Sequence, residues 1–203
     1  MRRRFCFERQ TDAEVTEGRA GMSSKGYSIV FSSRTGNTAE LAEAVREALP
    51  EGTCEHFGSV DGDAGAGCGR TSSAIPASET LFVGFWTNQG VADQAAQKLL
   101  GQLRNRKIFL FGTAGFGGSE AYFQAILDKT KALIDDSNTV IGTYMCQGKM
   151  PHSVRERYVK MKEQPDHMPN IDAMIENFDK ALSHPDADDL KKLTNLASEA
   201  IEQ

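Results

Sequence analysis

The stretch Tyr27-Ser28-Ile29-Val30-Phe31-Ser32-Ser33-Arg34-Thr35-Gly36-Asn37-Thr38 decides the fold. Its first half is a short run of apolar, β-branched and aromatic side chains, the composition of a strand buried on both faces. Its second half crowds hydroxyl and amide side chains around Gly36, then passes into helical periodicity at Leu41, Val45 and Ala48. Strand, glycine turn and helix start in immediate succession make the first turn of an open α/β sheet. There the unsatisfied N–H groups of the helix face a crevice at the strand's carboxyl end.

Working outward, the same alternation recurs. Thr80 to Trp86, Lys107 to Gly112 and Thr139 to Met145 read as further strands inside a parallel sheet, and the alternating run Thr53 to Phe57 as a strand nearer an edge. Helical faces fall at Ala96, Leu99, Leu100 and Leu103, at Phe123, Ile126, Leu127 and Ile134, and at Val154, Tyr158 and Met161. Residues 59–78 hold Gly, Ala, Ser and Asp without an apolar stripe and read as a long loop. Beyond Pro165, two more amphipathic helices are predicted, separated at His184-Pro185. The expected organisation is a disordered or extended tail over 1–26, with Met22 as an alternative start, a domain over 27–163, and a helical extension of the same domain over 164–203.

Composition narrows the function. The 203 residues are 39% hydrophobic and 25% charged with a net charge of −5, ordinary for a globular protein. The apolar runs, five or six residues long, fall far short of the roughly 20 that span a bilayer, so no membrane partner is expected. Residues 1–26 carry six basic and four acidic side chains, which leaves −7 on residues 27–203. Such a body disfavours nucleic acid, whose binding needs clustered cations. After Arg2, Arg3 and Arg4 no apolar stretch long enough for a signal peptide follows. Cys6, Cys54, Cys68 and Cys146 form no C-x-x-C pair, and the four histidines lie far apart. Neither a disulfide framework nor a metal site is expected, and a reducing, cytoplasmic setting is.

Three strand ends hold the candidate chemistry. Ser33, Thr35, Asn37 and Thr38 around Gly36 form a cradle for an anion such as phosphate, although such side chains also serve simply as helix caps. A nucleoside triphosphate is disfavoured, because no lysine follows Gly36 as a G-x-x-x-x-G-K-[ST] loop requires. The chain's single tryptophan, Trp86, stands before Thr87, Asn88, Gln89 and Gly90, placed to stack on a planar ring or to cover the sheet. Gly112 to Ser119 sets four glycines around Phe116, letting backbone approach a ligand closely or making a flexible turn capped by Ser119. No recognisable His, Cys or carboxylate falls near these loops, which weakens a hydrolase or nucleophilic reading, and Cys146 reads as packed rather than reactive.

The sequence Ser33-Arg34-Thr35-Gly36-Asn37-Thr38, with LFVGFW-TNQG and KIFLFGTAGFGGSEAYF at the later strand ends, resembles the flavodoxin family over Tyr27 to about Met161. In particular it resembles flavodoxin-like proteins of anaerobic bacteria. The resemblance implies a three-layer α/β/α sandwich with a five-stranded parallel sheet, FMN as cofactor and one-electron carriage. It implies that Ser33, Thr35, Gly36, Asn37 and Thr38 hold the phosphate. Trp86, Thr87 and Asn88 would then meet one face of the flavin, and Thr113, Gly115, Phe116 and Gly117 would line the other, with Tyr122 in reserve for stacking. Arg34 departs from the uncharged residue usual there and is either a phosphate contact or an exposed loop arginine. The implied partners are flavin or iron–sulfur reductases, a bilirubin-reducing enzyme among them, and the acidic body suggests partners with basic patches. The competing reading is an NAD(P)H-dependent quinone or flavin reductase on the same fold.

Overall fold

A computed structural model describes residues 26–60, 75–117 and 119–202. The tail expected over 1–26, Gly26 aside, lies outside the described residues, as do 61–74 of the expected loop and Gly118.

The elements run β1 (Tyr27–Phe31), α1 (Asn37–Ala48), β2 (Cys54–Ser59), β3 (Thr80–Asn88), β4 (Val91–Ala92), α2 (Gln94–Leu100), β5 (Lys107–Ala114), α3 (Glu120–Lys131), β6 (Thr139–Gln147), α4 (His152–Lys162), α5 (Ile171–Ala181) and α6 (Ala187–Ile201). Strands pair in the order β2-β1-β3-β5-β6, all parallel, and the short β4 pairs antiparallel with the end of β3. This is the expected flavodoxin-like arrangement. Its order reverses between β1 and β3, so the loops leaving those strands diverge and open a crevice.

Each face of the sheet buries one apolar cluster. On one, Leu41 and Val45 of α1 and Leu193 and Ala197 of α6 cover Ile29, Phe82 and Phe109. On the other, Leu99 and Leu100 of α2 and Ile126 and Leu127 of α3 cover Val83, Phe85 and Leu110. Leu103 and Ile134, read as helical, lie just beyond α2 and α3 yet still pack into that cluster. The separation of helices at His184-Pro185 stands, and that peptide is cis.

The expected edge position of the alternating strand is observed, since β2 ends the sheet. The interior position expected for Thr139 to Met145 is corrected: β6 is the opposite edge. It reads as interior because both faces of its carboxyl half are covered. Tyr144 and Cys146 enter the cluster beneath α6, and Met145 enters the other. The C-terminal extension thus supplies a sheet-covering helix in α6. Helices α4 and α5 instead pack on one another, joined by Arg155 to Asp179 at 2.7 Å and Lys162 to Asp172 at 2.5 Å. No helix among the described residues is long and apolar enough to cross a membrane.

Candidate functional site

The crevice begins where β1 stops. Gly36 is the N-cap of α1 with φ 88°, a left-handed conformation that favours glycine, and it brings no capping side chain. The first-turn amides are therefore left to others. Ser33 Oγ accepts from the amide of Ala39 at 3.2 Å, while those of Asn37 and Thr38 have no hydrogen-bond partner among the described residues. Open N–H groups at a helix start attract an anion.

The polar side chains of the turn divide into two sets. Thr35 and Arg34 are exposed. Asn37 and Thr38 are buried and hold the loops in register. Asn37 Nδ2 donates to Thr35 Oγ1 and to the carbonyl of Lys149, both at 2.9 Å. Thr38 Oγ1 donates to the carbonyl of Phe85 at 3.3 Å and lies 3.1 Å from Thr113 Oγ1. The start of α1 is thereby tied to the ends of β3, β5 and β6.

Across the crevice the strand predicted to end at Trp86 runs on to Asn88. Thr87 and Asn88 pair with Ala92 and Val91, and Gln89 and Gly90 make the hairpin turn with φ 53° and 79°, the two positive values that a tight primed turn requires. Trp86 is half-buried, and the Arg34 guanidinium lies 5.4 Å from its ring centroid, a cation–π contact. Arg34 is exposed and reaches Trp86 across the crevice. The hydroxyl of Thr87 is buried without a hydrogen-bond partner among the described residues. A groove of about 980 Å³ runs from Arg34, Trp86 and Asn88 along Gln94 and Lys98 of α2, large enough for a cofactor-sized ligand.

The third loop presents Phe116, 45% exposed. Its ring meets Tyr122 edge-on at 6.3 Å, so the reserve aromatic backs the first. Gly117 has φ 111°, and a Cβ there would overlap the Tyr122 ring. Gly115 is held from below, its carbonyl accepting from Asn177 Nδ2 at 3.1 Å and Gln147 Nε2 at 3.4 Å. Ser119 caps α3 as read from the sequence, accepting from the amide of Tyr122.

Several contributors escaped the sequence reading. The expected absence of a carboxylate near the loops is corrected at Asp93, which follows the β3–β4 hairpin. Asp93, 3% exposed, accepts the Ser32 hydroxyl in a short hydrogen bond and caps α2 through the amides of Ala95 and Ala96 at 3.0 and 3.3 Å. Its signal was legible, an Asp ahead of an apolar-periodic run. Gly148 is the second, for a Cβ there would stand 2.6 Å from Asn37 Nδ2. His184 is the third. Its Nδ1 lies 2.6 Å from Asp189 Oδ2, and its carbonyl accepts from the amide of Lys149 at 3.1 Å. Asp186 and Asp189 are engaged as the capping box of α6. Cys146 is packed, as read: burial pushes its thiol far up, which keeps it protonated.

Fold and crevice together define an open α/β protein with a crevice at the strand-order reversal, the place where such sheets take their ligands. The chain belongs to the flavodoxin domain family, whose model matches residues 28–198. It is 41% identical over 172 residues to the flavodoxin-like domain-containing protein BilS of Clostridium symbiosum (strain WAL-14163), covering 81% of this chain and 90% of that protein. To the protein of the same name from Clostridioides difficile (strain CD3) it is 28% identical over 170 residues, covering 83% and 92%. Among solved structures, oxidised Flavodoxin 2 from Bacillus cereus matches with a TM-score of 0.51 at 16% identity, covering 87% of this chain and 97% of that one, which bears on the fold alone.

Proposed function

We propose that the chain binds FMN at this crevice and carries single electrons to a partner reductase. The observation that carries the reading is the helix start at Gly36, its amides at Asn37 and Thr38 open among the described residues, at the same carboxyl end of the sheet as half-buried Trp86 and exposed Phe116 on the loops after β3 and β5. An anion on the amides and a planar ring between the aromatics are the two ends of a flavin mononucleotide. Ser33, Thr35 and Gly36 hold the phosphate with the first-turn amides, and Asn37 and Thr38 keep that turn in register from below. Trp86 and Phe116 flank the ring, while Thr113 and Gly115 support the loops that carry them. FMN supplies the redox chemistry, and the chain supplies binding, exclusion of water and the charge around the ring.

The groove along α2 favours a second reading, an NAD(P)H-dependent quinone or flavin reductase, because Arg34 and Lys98 give it room and charge for a further anionic ligand. Anaerobic potentiometry separates the two. A carrier takes up electrons in two resolved one-electron steps and stays oxidised with NAD(P)H alone. Rapid bleaching of the flavin by NAD(P)H, with turnover on adding a quinone, establishes the reductase instead.

A further inference from the structure

The net charge of −5 is not shared by residues 149–162. Lys149, Arg155, Arg157, Lys160 and Lys162 stand there against the single carboxylate of Glu156, a local +4 that leaves −9 on the rest of the chain. Arg155 and Lys162 are spent on Asp179 and Asp172 of α5. Lys149, Arg157 and Lys160 form no ion pair among the described residues. Helix α4 buries Tyr158 alone among its 11 residues and leaves Val159 37% exposed. Ser153, Glu156, Arg157, Lys160, Met161 and Gln164 line a shallow groove of about 380 Å³ on its outer side. A helix that buries so little of itself has a face to spare.

Its position gives that face a use. The segment leading into α4 is built into the crevice wall. The Lys149 carbonyl holds Asn37, and Met150 sits so close to Gly115 that a Cβ there would overlap it. A protein seated on α4 is therefore brought beside the loops proposed to hold the flavin.

We propose that helix α4, together with Lys149, is the docking surface for a redox partner presenting a carboxylate-rich patch. This rests on the FMN reading for its purpose, though not for the contact itself, and it reverses the partner charge that the acidic composition suggests. Three cations without an ion pair among the described residues are too few for a polyanion, whose binding grows with each phosphate neutralised and which the −9 on the rest of the chain repels. A membrane surface needs a broad apolar face on the helix, and α4 shows only Val154, Val159 and Met161 at least partly exposed among many charges. A protein with a confined acidic patch matches three cations while its remainder clears the acidic body, and complementary charge at a rim speeds a transient encounter.

The test titrates a ferredoxin whose carboxylates are confined to one face, as probe, into the FMN-loaded chain by calorimetry at about 20 mM and about 300 mM salt, on either side of strong screening. Arg157→Glu/Lys160→Glu alters α4, and Lys191→Glu/Lys192→Glu makes the same charge change on exposed positions of α6. The expected result is binding at low salt, weakened at least about tenfold by the α4 variant and by high salt, with the α6 variant close to the parent. Equal loss in both variants, no loss in either, no binding by the parent, or tighter binding of an RNA duplex or anionic vesicles than of ferredoxin overturns the proposal. The heat of binding does not depend on the flavin, so the titration is repeated on apoprotein. A chain that never takes up FMN yet binds ferredoxin through α4 removes the FMN reading and leaves the docking surface standing.

Discussion

Replacing Asp93 with alanine lowers the stability of the fold by about 2 to 4 kcal/mol, because losses of two kinds coincide. The carboxylate caps α2 through two amides, and an N-cap truncated to alanine costs about 1 kcal/mol on its own. The same carboxylate accepts from Ser32 at a site closed to solvent, so the mutation leaves a buried hydroxyl unpaired, at about 1 to 3 kcal/mol. Asp93→Asn keeps an oxygen for the cap and forfeits less. Urea denaturation followed by circular dichroism measures both variants. A parent-like midpoint for Asp93→Ala would show that neither bond contributes. Asp93 also donates its backbone amide to the Trp86 carbonyl at 3.0 Å, so a frayed α2 start loosens the strand end that bears the tryptophan.

Gly148→Ala weakens FMN binding by about 10- to 100-fold while leaving most of the fold's stability in place. A methyl group at this position takes the space of the Asn37 amide, which then gives up its bonds to Thr35 and Lys149. Two hydrogen bonds at about 1 kcal/mol each account for that range. The core itself is untouched, because Asn37 lies at the mouth of the sheet rather than in either apolar cluster. Equilibrium titration of apoprotein by quenching of flavin fluorescence gives the dissociation constants. An unchanged constant would mean that the register of the phosphate turn does not depend on Asn37. Adding Asn37→Ala to Gly148→Ala checks the cause, since the double variant should be no worse than the single if both act through one amide.

The fold was legible where burial leaves its mark on composition. β1, β3 and β5 are covered on both faces, so Tyr27–Phe31, Thr80–Trp86 and Lys107–Gly112 read as apolar runs. β6 was misplaced by the same rule, because an edge strand with α6 on one side and the second cluster on the other has an interior strand's composition. Helix α4 was found by its spacing, but spacing cannot say what a helix covers. The long-range packing of Leu193, Ala197 and Ala200 gives one sheet face to α6 and leaves α4 outside. At the site, residues local to each strand end were readable, since glycine, hydroxyl and aromatic side chains cluster there in sequence. What escaped is the scaffolding between loops. Asn37 meets Lys149 across 112 positions and Asn177 meets Gly115 across 62, and nothing in either neighbourhood announces such pairs. The charge asymmetry of residues 149–162 was present in the sequence but hidden inside an overall acidic sum.

The central claim is that the turn after β1 grips a phosphate, and calorimetry with two ligands that differ only there tests it most directly. Apoprotein should bind FMN at least about 100-fold more tightly than riboflavin, the difference that one or two charge-assisted hydrogen bonds from backbone amides supply. Equal affinity for the two ligands, or no heat from FMN with folded apoprotein, would contradict the account.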